Sequence, residues 1–330
     1  MGMHRTRGAA RYLVVPMVLA IGALAASAGP ARAAATSEHE NHFKTLDHPG
    51  AGAGSGQGTF VSGLNNHGDV VGDWVDGGNY NFGFLYHDGK FSPINHPKAG
   101  TAPFQGTNPI DISSDGVVVG YYVDSGNAYH GFLLHNGHYK AIDDPSAGTG
   151  AAMGTIPQGI NESGLVDGLM VDRSNKLHAF ILKNGHYTTV DDPHAGTADA
   201  PNGGTFFAGT NDHAVIVGGY HDSINVLHAL LYRNGHLREI NDPHAGTASG
   251  EGTVAFAINN EGVLAGYYVD SSMVSHGMVW HDGRFTTVDD PQGVSSNLQS
   301  INDHGTLLGT YNDAAQATHG FVLSRDDEEE

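Results

Sequence analysis

Residues 106–149 read GTNPIDISSDGVVVGYYVDSGNAYHGFLLHNGHYKAIDDPSAGT, and this stretch decides how the chain folds. Four short runs rich in β-branched and aromatic residues are separated by Gly, Asn, Asp and Ser, the composition of strands and tight turns. Strand a is Thr107 to Ile112, strand b Val117 to Val123, strand c His130 to Leu134 and strand d His138 to Ile142. Asn136-Gly137 between c and d is a hairpin signal, because both residues tolerate positive φ. Asp143-Asp144-Pro145 ends strand d, since proline cannot continue a ladder.

The unit recurs. The proline that closes it stands at 49, 97, 145, 193, 243 and 291, with spacings of 48, 48, 48, 50 and 48. A histidine recurs at His130, His178, His228, His276 and His319, each six residues after an aspartate: Asp124, Asp172, Asp222, Asp270 and Asp313. In the first copy Asp76 is kept, but Phe82 takes the histidine place. Four short strands at a period near 48 predict the blades of a β-propeller. Strands a, b and c occur six times and strand d only five, and the missing d lies at the other end of the chain. Phe43 to Pro49 aligns with Tyr187 to Pro193. The expected fold is therefore all-β, a six-bladed β-propeller whose last blade takes three strands from the C-terminus and one from the N-terminus. That arrangement leaves no free sheet edge at the seam.

These residues resemble the bacterial extracellular HAF repeat, whose naming tripeptide stands here as His178-Ala179-Phe180. Gly159-Ile160-Asn161, Tyr121-Tyr122-Val123-Asp124 and His130-Gly131-Phe132-Leu133 match its wider pattern. The resemblance covers roughly residues 43–323 in six copies. It implies a secreted, propeller-like repeat protein and carries over no catalytic residue.

Composition agrees and narrows the function. With 48 Gly and 13 Pro in 330 residues, the chain stays below the roughly 25–30% Gly plus Pro of low-complexity sequence, so the glycines punctuate an ordered fold. No Cys excludes disulfides, thiol nucleophiles and thiolate metal sites. A net charge of −20 argues against nucleic-acid partners. Residues 1–33 read as a signal peptide: Arg5, Arg7 and Arg11, an apolar run from Leu13 to Ala28, and Ala31-Arg32-Ala33 as the cleavage site. No further apolar segment reaches membrane length. The expected organisation is a signal peptide over 1–33, a polar segment over 34–42, the propeller over 43–325 and an acidic, disordered tail over 326–330. The mature protein is expected to be secreted, extracellular and monomeric.

Residues repeated in every blade are read as supports. Each Asp-x5-His pair is a latch across the b–c loop in preference to a Zn or Cu site. The Asp-Asp-Pro and Ala-Gly-Thr segments are blade links, with calcium there as an optional structural ion and no other cofactor expected. Tyr122, Tyr220, Tyr268, Tyr311 and Trp74 share one strand-b place and pack between blades or stack on sugars. His67, His213 and His304 sit solvated in a–b turns.

Departures from the repeat are the functional candidates. The fifth place of strand a is small at Gly63, Gly159, Gly209, Ala257 and Ser300, but is Asp111 in the second copy. The place before it varies: Ser62, Ile110, Gln158, Ala208, Phe256, Gln299. Asn108 and Asn297 are polar earlier in the strand, and His221 is alone in strand b of the fourth copy. The first blade diverges most, with Asp73-Trp74, Tyr80-Asn81-Phe82, and His48 and His96 in the two links that flank it. His48, His96, Tyr80 and Asn81 are expected to share one mouth of the ring near blades one and two. Ligand candidates are His48, Trp74, Tyr80, Asn81, Asn108, Gln158, His221 and Gln299, and catalytic candidates are Asp73, Asp111 and His96. The leading reading is a recognition or scaffold module for a glycan, cell-surface polymer or other small extracellular molecule. The alternative is a secreted hydrolase, lyase or cyclase that uses the asymmetric Asp and His residues near the axis. No nucleophile elbow, zincin helix or P-loop is present.

Overall fold

A computed structural model describes residues 41–196 and 203–325. The expected signal peptide, most of the polar segment and the acidic tail lie outside the described residues. Every described element is a strand. β1 (Asn41–Leu46) opens the chain. Blade one is β2 (Gly58–Leu64), β3 (Val70–Val75), β4 (Asn81–His87) and β5 (Lys90–Ile94). Blade two is β6 (Gly106–Ile112), β7 (Val118–Val123), β8 (Tyr129–His135) and β9 (His138–Ala141). Blade three is β10 (Gly154–Ile160), β11 (Val166–Val171), β12 (Leu177–Lys183) and β13 (His186–Val190). Blade four is β14 (Gly204–Thr210), β15 (Ile216–His221), β16 (Leu227–Arg233) and β17 (His236–Glu239). Blade five is β18 (Gly252–Ile258), β19 (Leu264–Val269), β20 (Ser275–His281) and β21 (Arg284–Thr287). Blade six is β22 (Ser295–Ile301), β23 (Leu307–Asn312) and β24 (Thr318–Arg325). Its fourth strand is β1, paired antiparallel with β24 from Asn41–Arg325 to Leu46–Gly320. The fold is the expected six-bladed propeller with a three-plus-one last blade.

Strand geometry explains the glycines. The third place of strand b is Gly in all six blades, for example Gly72, Gly120 and Gly168. A Cβ there would fall 2.2–2.4 Å from the strand-a carbonyls of Phe60, Asn108 and Ile156. Beneath that place lies the fully buried strand-c residue of each blade: Phe84, Phe132, Phe180, Leu230, Met278 and Phe321. Thr59, Thr107, Thr155, Thr205, Thr253 and Ser296 use their hydroxyls to accept the backbone N–H of the preceding blade link at 2.8–3.0 Å. Each link is thus tied to the strand it feeds.

Adjacent blades are also joined by single parallel bridges, such as Asn81 to Gly106 and Tyr129 to Gly154. The bridging glycines of β2, β6, β10, β14 and β18 have φ between 124 and 140°, and a Cβ would meet the neighbouring carbonyl at 1.9–2.2 Å. In β22 that place is Ser295, whose φ is not positive. No pairing joins β20 to β22 among the described residues, so the ladder of bridges is interrupted at that one seam. The link into β22 is also the shortest of those whose ends are described, with only Gln292, Gly293 and Val294 between Pro291 and the strand.

Candidate functional site

Strand a of every blade runs beside the axis, and every strand a carries a bulge. Register shifts fall between Val61 and Gly63, Pro109 and Asp111, Pro157 and Gly159, Phe207 and Gly209, Ala255 and Ala257, and Leu298 and Ser300. A bulge leaves one residue unpaired and re-aims its side chain. The six bulged residues are Ser62, Ile110, Gln158, Ala208, Phe256 and Gln299, the variable place of the sequence repeat. All six line an axial cavity of about 150 Å³. The small fifth place next to them lets the blades crowd together: a Cβ on Gly63 would meet the Asp111 Cα at 2.6 Å.

The cavity opens at the a–b turns, where Glu162 and Asp212 are exposed. Its floor is buried, formed by Leu177, Leu227, Tyr267 and His221. The walls are largely apolar, with Tyr121, Ile156, Leu169, Phe206, Val254 and Phe256 contributing. Among the polar side chains on this lining that make no hydrogen bond among the described residues are Gln158, Gln299 and His221. His221 is 2% exposed with both ring nitrogens unpartnered. Burial lowers its pKa to about 4, against the opposing pull of Asn225 and Asp222, so the imidazole is neutral.

Two rings of hydrogen bonds hold the mouth. Asn65, Asn161, Asn211, Asn259 and Asn302 each donate a side-chain N–H to the carbonyl of the same turn place in the next blade, at 3.0–3.3 Å. In the second ring the backbone N–H groups of Ser114, Glu162, Asp212, Asn260 and Asp303 donate to Glu162, Asp212, Asn260, Asp303 and Asn66. Blade two breaks the first ring because it has Ser113 where the others have Asn. Asp111 supplies the missing tie. Its Oδ2 accepts the N–H of Ile160 in blade three at 2.9 Å, and its Oδ1 accepts that of Ile112. Burial pushes Asp111 up to about 6, while those two donors pull it down and Glu162 pushes it further up.

The other candidates lie elsewhere, which corrects the expected mouth. His48, His96, Tyr80 and Asn81 are on the b–c and d–a side, whereas the cavity opens on the opposite face and none of them lines it. His48 stacks on Trp74 at 4.4 Å and His96 on Tyr122 at 4.0 Å. Their Nδ1 atoms accept the N–H groups of Gly50 and Lys98, the work done by a carboxylate oxygen of Asp144 or Asp192 in other links. These histidines therefore replace an aspartate in a turn. Asp73 is buried beside Asn81 and outside the cavity, and burial raises it to about 8 against the hydrogen bond of Asn81. Asn81 itself donates to the Asn108 side chain at 2.6 Å.

The latch also differs from the expected Asp-x5-His pair. The nearest partner of His130, His178, His276 and His319 is the first aspartate of the following link: Asp143, Asp191, Asp289 and Asp47, at 2.7–3.0 Å from Nδ1. The aspartate six residues earlier stands 3.4–3.7 Å from Nε2 and chiefly caps its own turn, as Asp124 does for Gly126 and Ala128. Blade one has Phe82 for the histidine and Asn95 for that first aspartate, so both partners change together. Among the described residues no group of three or more His, Cys, Asp or Glu is placed to hold a metal ion.

Asp167 escaped the sequence reading. It is fully buried on β11, with neither oxygen hydrogen-bonded, where the other blades have Val71, Val119, Val217, Ala265 and Leu308. Burial and the neighbouring Asp111 push its carboxyl well above the usual range. The comparison of blades that found Asp111 in strand a would have found it in strand b.

No protein-family profile matches the chain, and no curated protein matches its sequence. Solved structures do match. The structure of AofleA from Arthrobotrys oligospora superposes with a TM-score of 0.53 at 12% identity, over 88% of this chain and 91% of that one. The SapL1 lectin in complex with alpha methyl fucoside gives 0.50 at 11% identity, over 81% and 94%. TolB from Acinetobacter baumannii gives 0.50 at 8%, over 77% of this chain and 63% of that one. At such identities the likeness is one of fold.

Proposed function

We propose that this chain is a secreted recognition protein of the HAF-repeat kind, which binds a glycan in the axial channel without turning it over. The observation that carries the reading is the convergence of Gln158, Gln299 and a neutral His221 on an otherwise largely apolar cavity. A small-molecule site has this form: apolar and aromatic walls with a few placed polar groups. Sugar rings suit it, since their C–H faces lie on aromatic rings and their hydroxyls meet amides and a neutral imidazole. The SapL1 lectin, which shares this fold, was solved with alpha methyl fucoside, which supports a saccharide as the class to test first. The enzyme reading finds less support, because Asp111 is engaged with two backbone N–H groups and Asp73 and His96 lie off the cavity.

The repeat supplies its own controls. Valine stands at the His221 place in four blades, and isoleucine at the Gln158 place in blade two. Calorimetric titration with a glycan library is expected to give one ligand per chain. His221→Val and Gln158→Ile are each expected to weaken binding about tenfold, the worth of one buried hydrogen bond left unmade. Several ligands per chain, bound equally well by both variants, would place recognition outside the channel.

A further inference from the structure

Three carboxyl groups meet at the seam between blades two and three, and among the described residues none of them is paired with a Lys, Arg or His. Asp111 and Glu162 both line the channel, and the Glu162 carboxylate adds to the cost of ionising Asp111. Asp167 lies behind them, fully buried and unpartnered. It is packed so close to the backbone that a Cβ on Gly159 would fall 2.5 Å from its Oδ2. Further round the mouth stand Asp212 and Asp303. Burial pushes Asp303 up, but the backbone of Asn260 and the amides of Asn66 and Asn260 outweigh this and keep it charged. Among the described residues no Lys or Arg lines the cavity, and the one imidazole that does is held neutral at the floor.

Two carboxylates that face one channel wall repel each other unless a positive group joins them. The geometry leaves the place of that group open on the channel side of Asp111 and Glu162, with Ser114 alongside. These residues are not arranged as a metal cage, since Asp111 already holds two backbone N–H groups with its two oxygens. A primary ammonium needs less. It donates N–H to carboxylate lone pairs that remain and requires no closed coordination shell.

We infer that the channel carries an ammonium subsite, built from Asp111 and Glu162 at the seam of blades two and three, which selects ligands bearing a protonated amine. The inference rests on the channel being the ligand site. It narrows the glycan class to amino sugars with a free amine and excludes uronates. Acidic residues around the mouth also speed the approach of a cation at low ionic strength.

Titration with three probes tests it: a fully de-acetylated glucosamine trimer, its fully N-acetylated counterpart and spermidine. The de-acetylated trimer is expected to bind at least about tenfold more tightly than the acetylated one at low salt, in keeping with a charge-assisted hydrogen bond. Glu162→Gln is expected to remove that preference, bringing the two trimers to equal affinity. Asp212→Asn, which puts at 212 the residue blades one and five already have, is expected to reduce the salt dependence of binding of the de-acetylated trimer. Equal binding of the two trimers overturns the ammonium subsite and leaves the channel reading standing. Binding of spermidine but of neither trimer supports the subsite, with a free amine as its source, and overturns the saccharide. Binding of none of the three overturns both.

Discussion

Asp167 stands in a place that five other blades fill with an aliphatic side chain. A buried acid without a partner costs free energy even when protonated, and more when charged. Asp167→Val is therefore expected to raise the unfolding free energy by about 1–3 kcal/mol. The sign of its pH dependence follows from the raised pKa. The folded protein holds a proton that the unfolded chain releases above about pH 4, so the penalty grows as pH rises from there. Chemical denaturation at pH 4 and pH 7 should show a larger gain at pH 7, and an equal gain would mean that Asp167 does not titrate abnormally. Ser113→Asn tests a second residue. It would complete the asparagine ring between blades two and three and is expected to be neutral or to stabilise by up to about 1 kcal/mol. Asp111 was legible because it breaks a run of small residues. Its role was not, because a carboxylate that clips two blades together and one that attacks a substrate look alike in sequence.

At the scale of the strand, the repeat was readable nearly to the residue, since turns and β-branched runs are local properties. The bulges were not, because they arise from how strand a crowds its neighbours at the axis. They decide which side chains reach the cavity, and they turn the variable place of the repeat inward. The bridging glycines belong to this scale too. Gly154→Ala is expected to cost at least roughly 1–3 kcal/mol from backbone strain alone, with the clash against the Tyr129 carbonyl in addition. Ser295→Gly should change the melting temperature little, because that seam makes no such bridge. A comparable loss from both substitutions would contradict the assignment.

The whole ring depends on β1 entering the sixth blade, where Leu46 joins the buried cluster of Val61, Leu64 and Leu308. Removing residues 41–46 is expected to abolish cooperative unfolding; a sharp transition in the shortened chain would show that the ring holds without it. Between about pH 6.5 and 8 several groups act in one direction. Asp73, raised to about 8, and Asp167 hold protons that the unfolded chain has released. His178 and His276, raised chiefly by their hydrogen bonds to Asp191 and Asp289, lose their stabilising charge as pH climbs through their folded values. The melting temperature is thus expected to be lower at pH 8 than at pH 6.5. Below about pH 4 the carboxyls of Asp172 and Asp313 fail in turn: burial raises them, but backbone N–H groups and histidines outweigh it and hold them low, so their contribution is lost on protonation. By itself the sequence determined the blade, the number of blades and the strand exchange that completes the last one, because a repeat period and its turn residues are written in order along the chain. Only the tertiary structure decided which face opens, which departures reach the channel and which merely replace an aspartate in a turn. Those outcomes depend on contacts between blades about fifty residues apart, where a bulge or a missing Cβ moves a side chain from the core to the axis.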